Sequence, residues 1–242
     1  MRHFGFSTGA IAFGDFGEAL RLLSKHDIDV VELSALRFRE LAPLINSIES
    51  IDLARYSYVS FHAPSQFPDG AEELVVDLLL QVAARSIPIV LHPDAVRNWN
   101  LWTKLGSAIL VENMDKRKEI GRTSAELFAC FERLPEARLC FDIGHARQVD
   151  PSLVESRRIL EQFSGRLHQV HISEVGSDST HERISWSAAR SFSSLASMIP
   201  EHVPIVIESV TSSDQILNEI ARARSSFGEA VFPGVETMMG AA

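Results

Sequence analysis

Six apolar segments of the chain each end in a side chain of the kind that binds metal ions. The residues are His62, His92, Glu112, Asp142, His171 and Glu208. Successive members are 20 to 37 residues apart, and about 30 residues is the length of one strand-and-helix unit. The spacing therefore predicts a ring of strand ends around one centre. Mixed imidazole and carboxylate ligands suit zinc, manganese or iron better than calcium.

The segment Leu139–His145 carries two such residues, because His145 follows Asp142 by three positions. Asp142 alone could be a helix cap, and His145 alone could be a core histidine. Any single member of the set could likewise be a satisfied polar residue near the end of a strand. As a set, however, several carboxylates close together at the ends of strands would repel one another unless a cation neutralised them.

Apolar runs alternate with amphipathic segments along the whole chain. Strands are predicted at 3–8, 29–33, 58–62, 88–92, 108–112, 139–142, 167–172 and 204–208, and helices at 16–26, 40–48, 71–86, 100–105, 124–134, 151–163, 186–198 and 213–226. Pro151 is predicted to begin the sixth of these helices. The pattern is typical of an α/β protein, a (β/α)8 TIM barrel, forming a single domain over residues 1–242. The alternative, an open doubly wound sheet, lacks its glycine-rich fingerprint after the first strand.

Composition limits the classes of function. The 242 residues are 45% hydrophobic and carry a net charge of −9, which argues against a surface made for nucleic acid. The two cysteines, Cys130 and Cys140, have no metal-type spacing and indicate a reducing compartment without a disulfide framework. No apolar run reaches about 18 residues, and no signal-peptide core is present. We therefore expect a cytoplasmic protein without a membrane span.

The loops that follow the strands are basic although the chain as a whole is acidic. Their basic residues are Arg37, Arg39, Arg97, Lys116, Arg117, Lys118, Arg122, Arg147 and Arg183. Loops after barrel strands lie on the catalytic face, so this charge favours an anionic, phosphate-bearing substrate. The alternative is that these residues belong to solvated loops. In the seventh strand, alternation predicts that Gln169 points inward with His171, whereas His168 points outward.

At these positions the chain resembles the xylose-isomerase-like barrel superfamily, which includes sugar isomerases, epimerases and type IV apurinic endonucleases. The motifs are Phe61-His62-Ala63-Pro64, Leu91-His92-Pro93, Val111-Glu112-Asn113, Phe141-Asp142-Ile143-Gly144-His145, Val170-His171-Ile172-Ser173 and Ile207-Glu208-Ser209. The resemblance covers nearly the whole chain. The motifs are specific for the superfamily and much less specific for the reaction.

The isomerases and epimerases imply a site with one divalent metal. The matching ligands are Glu112, Asp142, His171 and Glu208. The resemblance implies that Glu112 and Glu208 also transfer a proton through a metal-stabilised enediolate, while His145 and Arg183 hold substrate oxygens. Arg117, Lys118 and Arg147 would then bind the anionic part of the substrate.

The endonucleases imply a trinuclear zinc cluster instead. His62, His92 and a bridging Glu112 match the ligands of the first zinc. The four residues of the isomerase set match the ligands of the second zinc. His145 and His181 match two ligands of the third zinc, whose pattern also has an aspartate two residues before the last histidine. This chain has Ser179 there and Asp178 one residue earlier.

Short loops and an acidic total favour a small substrate over duplex DNA. The sequence-based hypothesis is therefore a metal-dependent isomerase or epimerase acting on a small anionic or sugar-like substrate. The alternatives are a multinuclear phosphoester hydrolase, for which nucleic acid is a less favoured partner, and a barrel that binds a ligand without catalysis. The expected cofactor is manganese, zinc, cobalt or magnesium, with iron as an alternative.

Overall fold

Eight parallel strands close into a barrel in the computed structural model, which describes residues 2–229. The barrel strands are β1 (Phe4–Ser7), β2 (Val30–Ser34), β3 (Tyr58–His62), β4 (Ile89–Leu91), β5 (Ile109–Glu112), β6 (Arg138–Asp142), β7 (Leu167–Ile172) and β10 (Ile205–Ile207). Each strand pairs with the next one in chain order, and β10 pairs with β1 to complete the ring. The predicted TIM barrel is confirmed, and the open-sheet alternative is wrong.

Helices connect the barrel strands. They are α1 (Thr8–Ala12), α2 (Phe16–Leu23), α3 (Phe38–Ser47), α4 (Glu72–Ala83), α5 (Trp99–Trp102), α6 (Ser124–Arg133), α7 (Ile143–Val149), α8 (Val154–Gln162), α9 (Trp186–Ser193) and α10 (Ile216–Ser225). Apolar faces of these helices pack on the strands in one continuous core, as expected for parallel strands buried on both sides. None of the helices within residues 2–229 is long and apolar enough to cross a membrane.

The element boundaries follow local capping signals where those are strong. Thr123 accepts a hydrogen bond from the backbone N–H of Glu126 and caps the start of α6. The prediction for Pro151 is wrong, because this residue lies in a turn and α8 begins at Val154. The preceding Leu153 adopts a left-handed conformation with φ of 61°, so the chain turns before the helix can start.

Two insertions near the barrel mouth were not predicted. Helix α7 starts directly after β6, with no loop between them. A short antiparallel hairpin, β8 (Glu174–Val175) and β9 (His181–Glu182), follows β7. Both insertions lie at the C-terminal ends of the strands, where they change which side chains reach the centre.

Candidate metal centre

All eight sequence-predicted metal ligands meet at the C-terminal mouth of the barrel. They form three overlapping groups in which the candidate ligand atoms lie within 4.8 Å of one another: His62, His92 and Glu112; Glu112, Asp142, His171 and Glu208; and Asp142, His145 and His181. The strands explain this convergence, because parallel neighbours end at the same side of the sheet. Side chains distant in sequence therefore share one site.

Glu112 lies at the middle of the centre, and its two oxygens face different histidines. Its Oε2 atom lies 3.4 Å from Nε2 of His62 and 3.1 Å from Nε2 of His92. Its Oε1 atom lies 3.3 Å from Nδ1 of His145 and 3.5 Å from Nδ1 of His171. The side chain is only 1% exposed. The carboxylate is therefore placed between two sets of ligands.

The turn from β6 into α7 positions Asp142 and His145 together. Oδ1 of Asp142 accepts a hydrogen bond of 2.7 Å from the backbone N–H of His145, which caps the helix. Gly144 makes this tight turn possible, since a Cβ atom there would lie 2.5 Å from the backbone oxygen of Ser173. Asn113 fixes the same turn by two 2.8 Å hydrogen bonds with the backbone of Asp142.

The β8–β9 hairpin brings His181 back over the mouth. Nδ1 of His181 is 2.8 Å from Oγ of Ser173 and 3.7 Å from Oε2 of Glu208. The rings of His145 and His181 lie 5.1 Å apart. Ser179, which stands where the endonuclease pattern has an aspartate, bonds to Asp115 at 2.7 Å instead.

Electrostatics inside the centre shift the pKa values of its groups strongly. Burial lowers the pKa of His62, but the adjacent Glu112 and the charges of other nearby carboxylates outweigh burial and raise the pKa to about 9. The pKa of His145 rises to about 10, because Asp142 and Glu112 outweigh its burial. Burial raises the pKa of Glu208, yet His171 lowers it overall to about 2. Positive charge is thus needed among these carboxylates.

Several buried polar atoms of the centre have no hydrogen-bond partner. They include both oxygens of Glu112, Oδ2 of Asp142 and Nδ1 of His171. Buried polar atoms are normally paired, because an unpaired one loses its hydration without compensation. Unpaired oxygen and nitrogen atoms in groups whose candidate ligand atoms lie within 4.8 Å of one another fit divalent cations such as zinc, manganese or iron.

Sequence reasoning missed one residue of the centre, Glu32 in β2. Its side chain is fully buried, and its Oε2 atom is 3.0 Å from Nε2 of His171. Glu32 also forms a fourth candidate ligand group with His62 and Glu208. The signal was present, because Val30-Val31-Glu32 is an apolar run followed by a carboxylate, like the six runs that were recognised.

The predicted substrate-binding cations near the mouth each have a partner. Arg117 pairs with Asp115 at 3.0 Å and Lys118 with Asp94 at 2.7 Å. Arg147 pairs with Glu174 at 3.2 Å, and Arg183 bonds to Gln215 at 3.1 Å. Arg183 and Arg117 remain largely exposed. Their proposed role in binding an anion stays a prediction.

Solved structures of similar fold are found over most of this chain. Endonuclease IV from Thermus thermophilus has a TM-score of 0.61 at 16% identity, over 94% of this chain and 100% of that chain. A provisionally named sugar phosphate isomerase/epimerase from Anabaena variabilis has a TM-score of 0.54 at 14% identity, over 91% of this chain and 88% of that chain. Protein SMc04130 from Sinorhizobium meliloti 1021 has a TM-score of 0.57 at 14% identity, over 93% of this chain and 99% of that chain.

No protein-family profile and no curated protein matches the sequence. The three solved structures confirm the predicted resemblance to xylose-isomerase-like TIM barrels at the level of the fold. Two of these neighbours are named as enzymes of different kinds, and one fold supports many reactions. The reaction of this chain must be argued from its own site.

Proposed function

We propose that the protein is a metal-dependent phosphoester hydrolase with a centre of two or more divalent ions. The position of Glu112 carries this proposal. One of its oxygens faces His62 and His92, while the other faces His145 and His171. A carboxylate with a different set of imidazoles at each oxygen is suited to bridge two cations, as in two-metal hydrolases.

The donor set supports more than one ion. Four residues suffice for one cation, and the group Glu112, Asp142, His171 and Glu208 already supplies them. His62 and His92 would complete a second site at the other oxygen of Glu112, and His145 with His181 would contribute to a third. In the single-metal isomerase hypothesis these four histidines would have no metal to bind.

Divalent ions in such a centre lower the pKa of water and stabilise the charge that develops on a phosphoryl group. The chain's residues would hold and orient the reactants. Glu208 has the most exposed carboxylate of the set, at 13% of its side chain. As the carboxylate of the set that solvent reaches most, it is the proposed acceptor of the proton of an attacking water, and His181, 3.7 Å from it, is proposed to hold a substrate oxygen. The buried Glu112 would not contact substrate.

A sugar isomerase or epimerase is the second candidate, favoured by the complete one-metal group around Glu208. This reaction needs two carboxylates that reach a substrate carbon. Glu208 is 13% exposed, whereas Glu112 is 1% exposed and lies against His62 and His92. This hypothesis therefore requires Glu112 to become accessible. A barrel that only binds ligands would not need this buried acid cluster.

Metal content separates the two enzymes. We expect two or three zinc, manganese or iron ions per chain in protein purified without chelators, measured by elemental mass spectrometry. We also expect metal-dependent cleavage of phosphoesters when abasic-site duplexes, small phosphodiesters and phosphomonoesters are compared. A single ion per chain, together with turnover of ketoses or their phosphates, would instead establish the isomerase.

The substitution Glu208→Gln tests the exposed carboxylate. We expect turnover to fall by at least about 100-fold, which is the contribution of a positioned acid or base, while the protein stays folded. Steady-state rates and circular dichroism measure the two effects. Glu182→Gln, on the exposed side of the hairpin, is the matched control. Retained activity in Glu208→Gln would remove this residue from the mechanism.

A further inference from the structure

A layer of polar side chains lies below the metal centre inside the barrel. Glu32, Ser60 and Gln169 are completely buried there, and the hydroxyl of Tyr58 joins them. This fold normally fills its interior with branched apolar side chains. None of these four residues belongs to the ligand set predicted from the sequence, so their presence needs a separate reason.

The layer converges on one carboxylate oxygen. Oε2 of Glu32 accepts hydrogen bonds from Oγ of Ser60 at 3.1 Å and from Nε2 of Gln169 at 2.7 Å. It also lies 3.0 Å from Nε2 of His171. Tyr58 donates to Oε1 of Gln169 at 2.8 Å, which fixes the orientation of that amide. Through these contacts the layer meets the candidate ligand His171 directly.

The two ring nitrogens of His171 face different groups. Nε2 faces Glu32, whereas Nδ1 lies 3.2 Å from Oε2 of Glu208 and 3.5 Å from Oε1 of Glu112. Nδ1 is buried and has no hydrogen-bond partner. An imidazole can bind a metal only through a nitrogen that carries no proton. The tautomer of His171 therefore decides whether this ring can be a ligand.

We propose that Glu32 is a positioning residue that holds the proton of His171 on Nε2 and so leaves Nδ1 free for a metal ion. An ionised carboxylate can only accept, so His171 can bond to Glu32 only in the tautomer that carries its proton on Nε2. Carboxylates that hold ligand histidines in this way tune metal affinity in other proteins. The inference rests on the proposed metal centre, but it does not depend on which reaction the centre performs.

Gln169 competes with Glu32 for the same nitrogen. Its Nε2 atom lies 2.7 Å from Nε2 of His171, so its second N–H could donate to that ring and move the histidine proton to Nδ1. The negative charge of Glu32 opposes this arrangement, because an unprotonated Nε2 would face a carboxylate lone pair. Glu32 and Gln169 are therefore expected to have opposite effects on metal binding, although both belong to one network.

Stability alone does not account for Glu32. Its Oε1 atom is buried without a partner, and a buried carboxylate carries a large cost of desolvation unless it is fully paired. An apolar side chain would fill the same volume without that cost. A function in orienting the ligand His171 explains why a charge is placed here.

The test compares zinc affinity in metal-stripped proteins by competition with a chromophoric chelator. We expect Glu32→Gln to bind zinc about 10–100-fold more weakly and Gln169→Leu to bind it no more weakly than the wild type. Glu72→Gln is the control, because Glu72 is also a buried carboxylate, but it accepts from Trp102 and the 97–98 backbone away from the centre.

Equal zinc affinity in Glu32→Gln and the wild type would overturn the inference and leave the proposed metal centre intact. Equal weakening in Glu32→Gln and Gln169→Leu would also overturn it, because the network would then act only on structure. A wild-type protein that binds no divalent metal would overturn both this inference and the proposed function.

A second measurement needs no Glu32 variant to fold. Nitrogen-15 spectra of the histidine rings in zinc-loaded wild-type protein report which nitrogen of each ring carries the proton, and the signals of His171 are those missing in His171→Asn. We expect a proton on Nε2 and a metal-shifted Nδ1. A metal-shifted Nε2, or a ring that zinc leaves unchanged, would contradict the assignment.

Discussion

At the residue scale, the centre consists of buried polar groups that do not complete one another's hydrogen bonds. Glu112 and Asp142 are buried with unpaired oxygens, and the pKa of His145 is raised to about 10 because the charges of these two carboxylates outweigh its burial. A divalent cation would supply the missing positive charge and would compete with the histidine protons for the same atoms. This conflict among single side chains is the physical basis of the proposed metal centre.

Cys130 gives a prediction for alkaline pH at a position away from the centre. Burial raises the pKa of its thiol to about 11, above the value of about 8.5 in an unfolded chain. The free energy of unfolding is therefore unaffected by this thiol below about pH 8.5. It falls as the pH rises from there to about 11, because the thiol ionises in the unfolded chain before it ionises in the folded protein. Denaturant unfolding between pH 8 and 11 should show a shallower loss of stability in Cys130→Ala.

The control is the comparison of Cys130→Ala with the wild type at pH 7. At that pH the thiol is neutral in both states, so the variant loses only the free energy of packing the thiol group. The two stability curves should then converge as the pH rises. Parallel curves for the variant and the wild type across this range would show that Cys130 does not titrate as its burial implies.

At the element scale, the short connections after the strands decide which side chains reach the mouth. Helix α7 begins at Ile143, so Asp142 is both the last residue of β6 and the helix cap. The β8–β9 hairpin brings His181 to within 3.7 Å of Glu208. Both elements act through backbone geometry, and changes to that geometry should disturb the site without altering any ligand.

Gly144→Ala tests the first of these elements. The added methyl group would meet the backbone oxygen of Ser173 at 2.5 Å, which requires α7 to shift. We expect a loss of about 1–3 kcal/mol in stability, typical of overpacking, and weaker metal binding. Gly165→Ala is the matched control, because nothing lies within 4 Å of its added carbon. Equal stability of the two variants would show that the turn tolerates a side chain.

The loop after β5 gives a prediction on substrate binding. Arg117 and Lys118 already pair with Asp115 and Asp94, but the side chain of Arg117 is 55% exposed. If this loop binds an anion, reversing both charges with Glu should raise KM several-fold with little effect on kcat. Steady-state kinetics on the substrate found by the activity screen measures this split. Arg158→Glu on α8 is the control. An unchanged KM in the Arg117 and Lys118 variant would show that this loop does not bind the substrate.

At the scale of the whole molecule, the closed barrel makes one buried acidic site out of residues in or directly after seven strands, in helix α7 and in a hairpin. The folded state must hold these charges together, whereas the unfolded chain keeps them apart in water. Metal ions that bind only the folded state stabilise it by mass action, by about 4 kcal/mol at a thousand times the dissociation constant. The metal centre and the fold should therefore be thermodynamically linked.

Chelation tests this linkage. We expect the metal-stripped protein to unfold at a lower temperature than the loaded protein. A shift of about 2–4 °C is expected for each kcal/mol in a domain of this size. Calorimetry with and without added zinc measures it, and His62→Asn combined with His171→Asn should lose most of the metal-dependent shift. An unfolding temperature independent of metal would contradict a centre built into the folded state.

Sequence alone predicted the barrel, because buried parallel strands need near-continuous apolar runs and such runs recur eight times. It also predicted that eight candidate ligand residues lie close together, as they do, whereas their binding of metal stays a prediction. Its errors were local. The Pro151 helix start, α7 and the hairpin depend on backbone turns whose signals are weak in a single sequence.

The tertiary structure decided what the pattern left open. Only the closed barrel shows that the two oxygens of Glu112 face separate histidines, a geometry that supports the multinuclear centre proposed above. Only the packing across the barrel brings Glu32 and His171 into contact, 139 residues apart in the chain. Local sequence fixes which residue types end each strand, but distances between strands follow from the closure of the sheet, and the chemistry of the site depends on those distances.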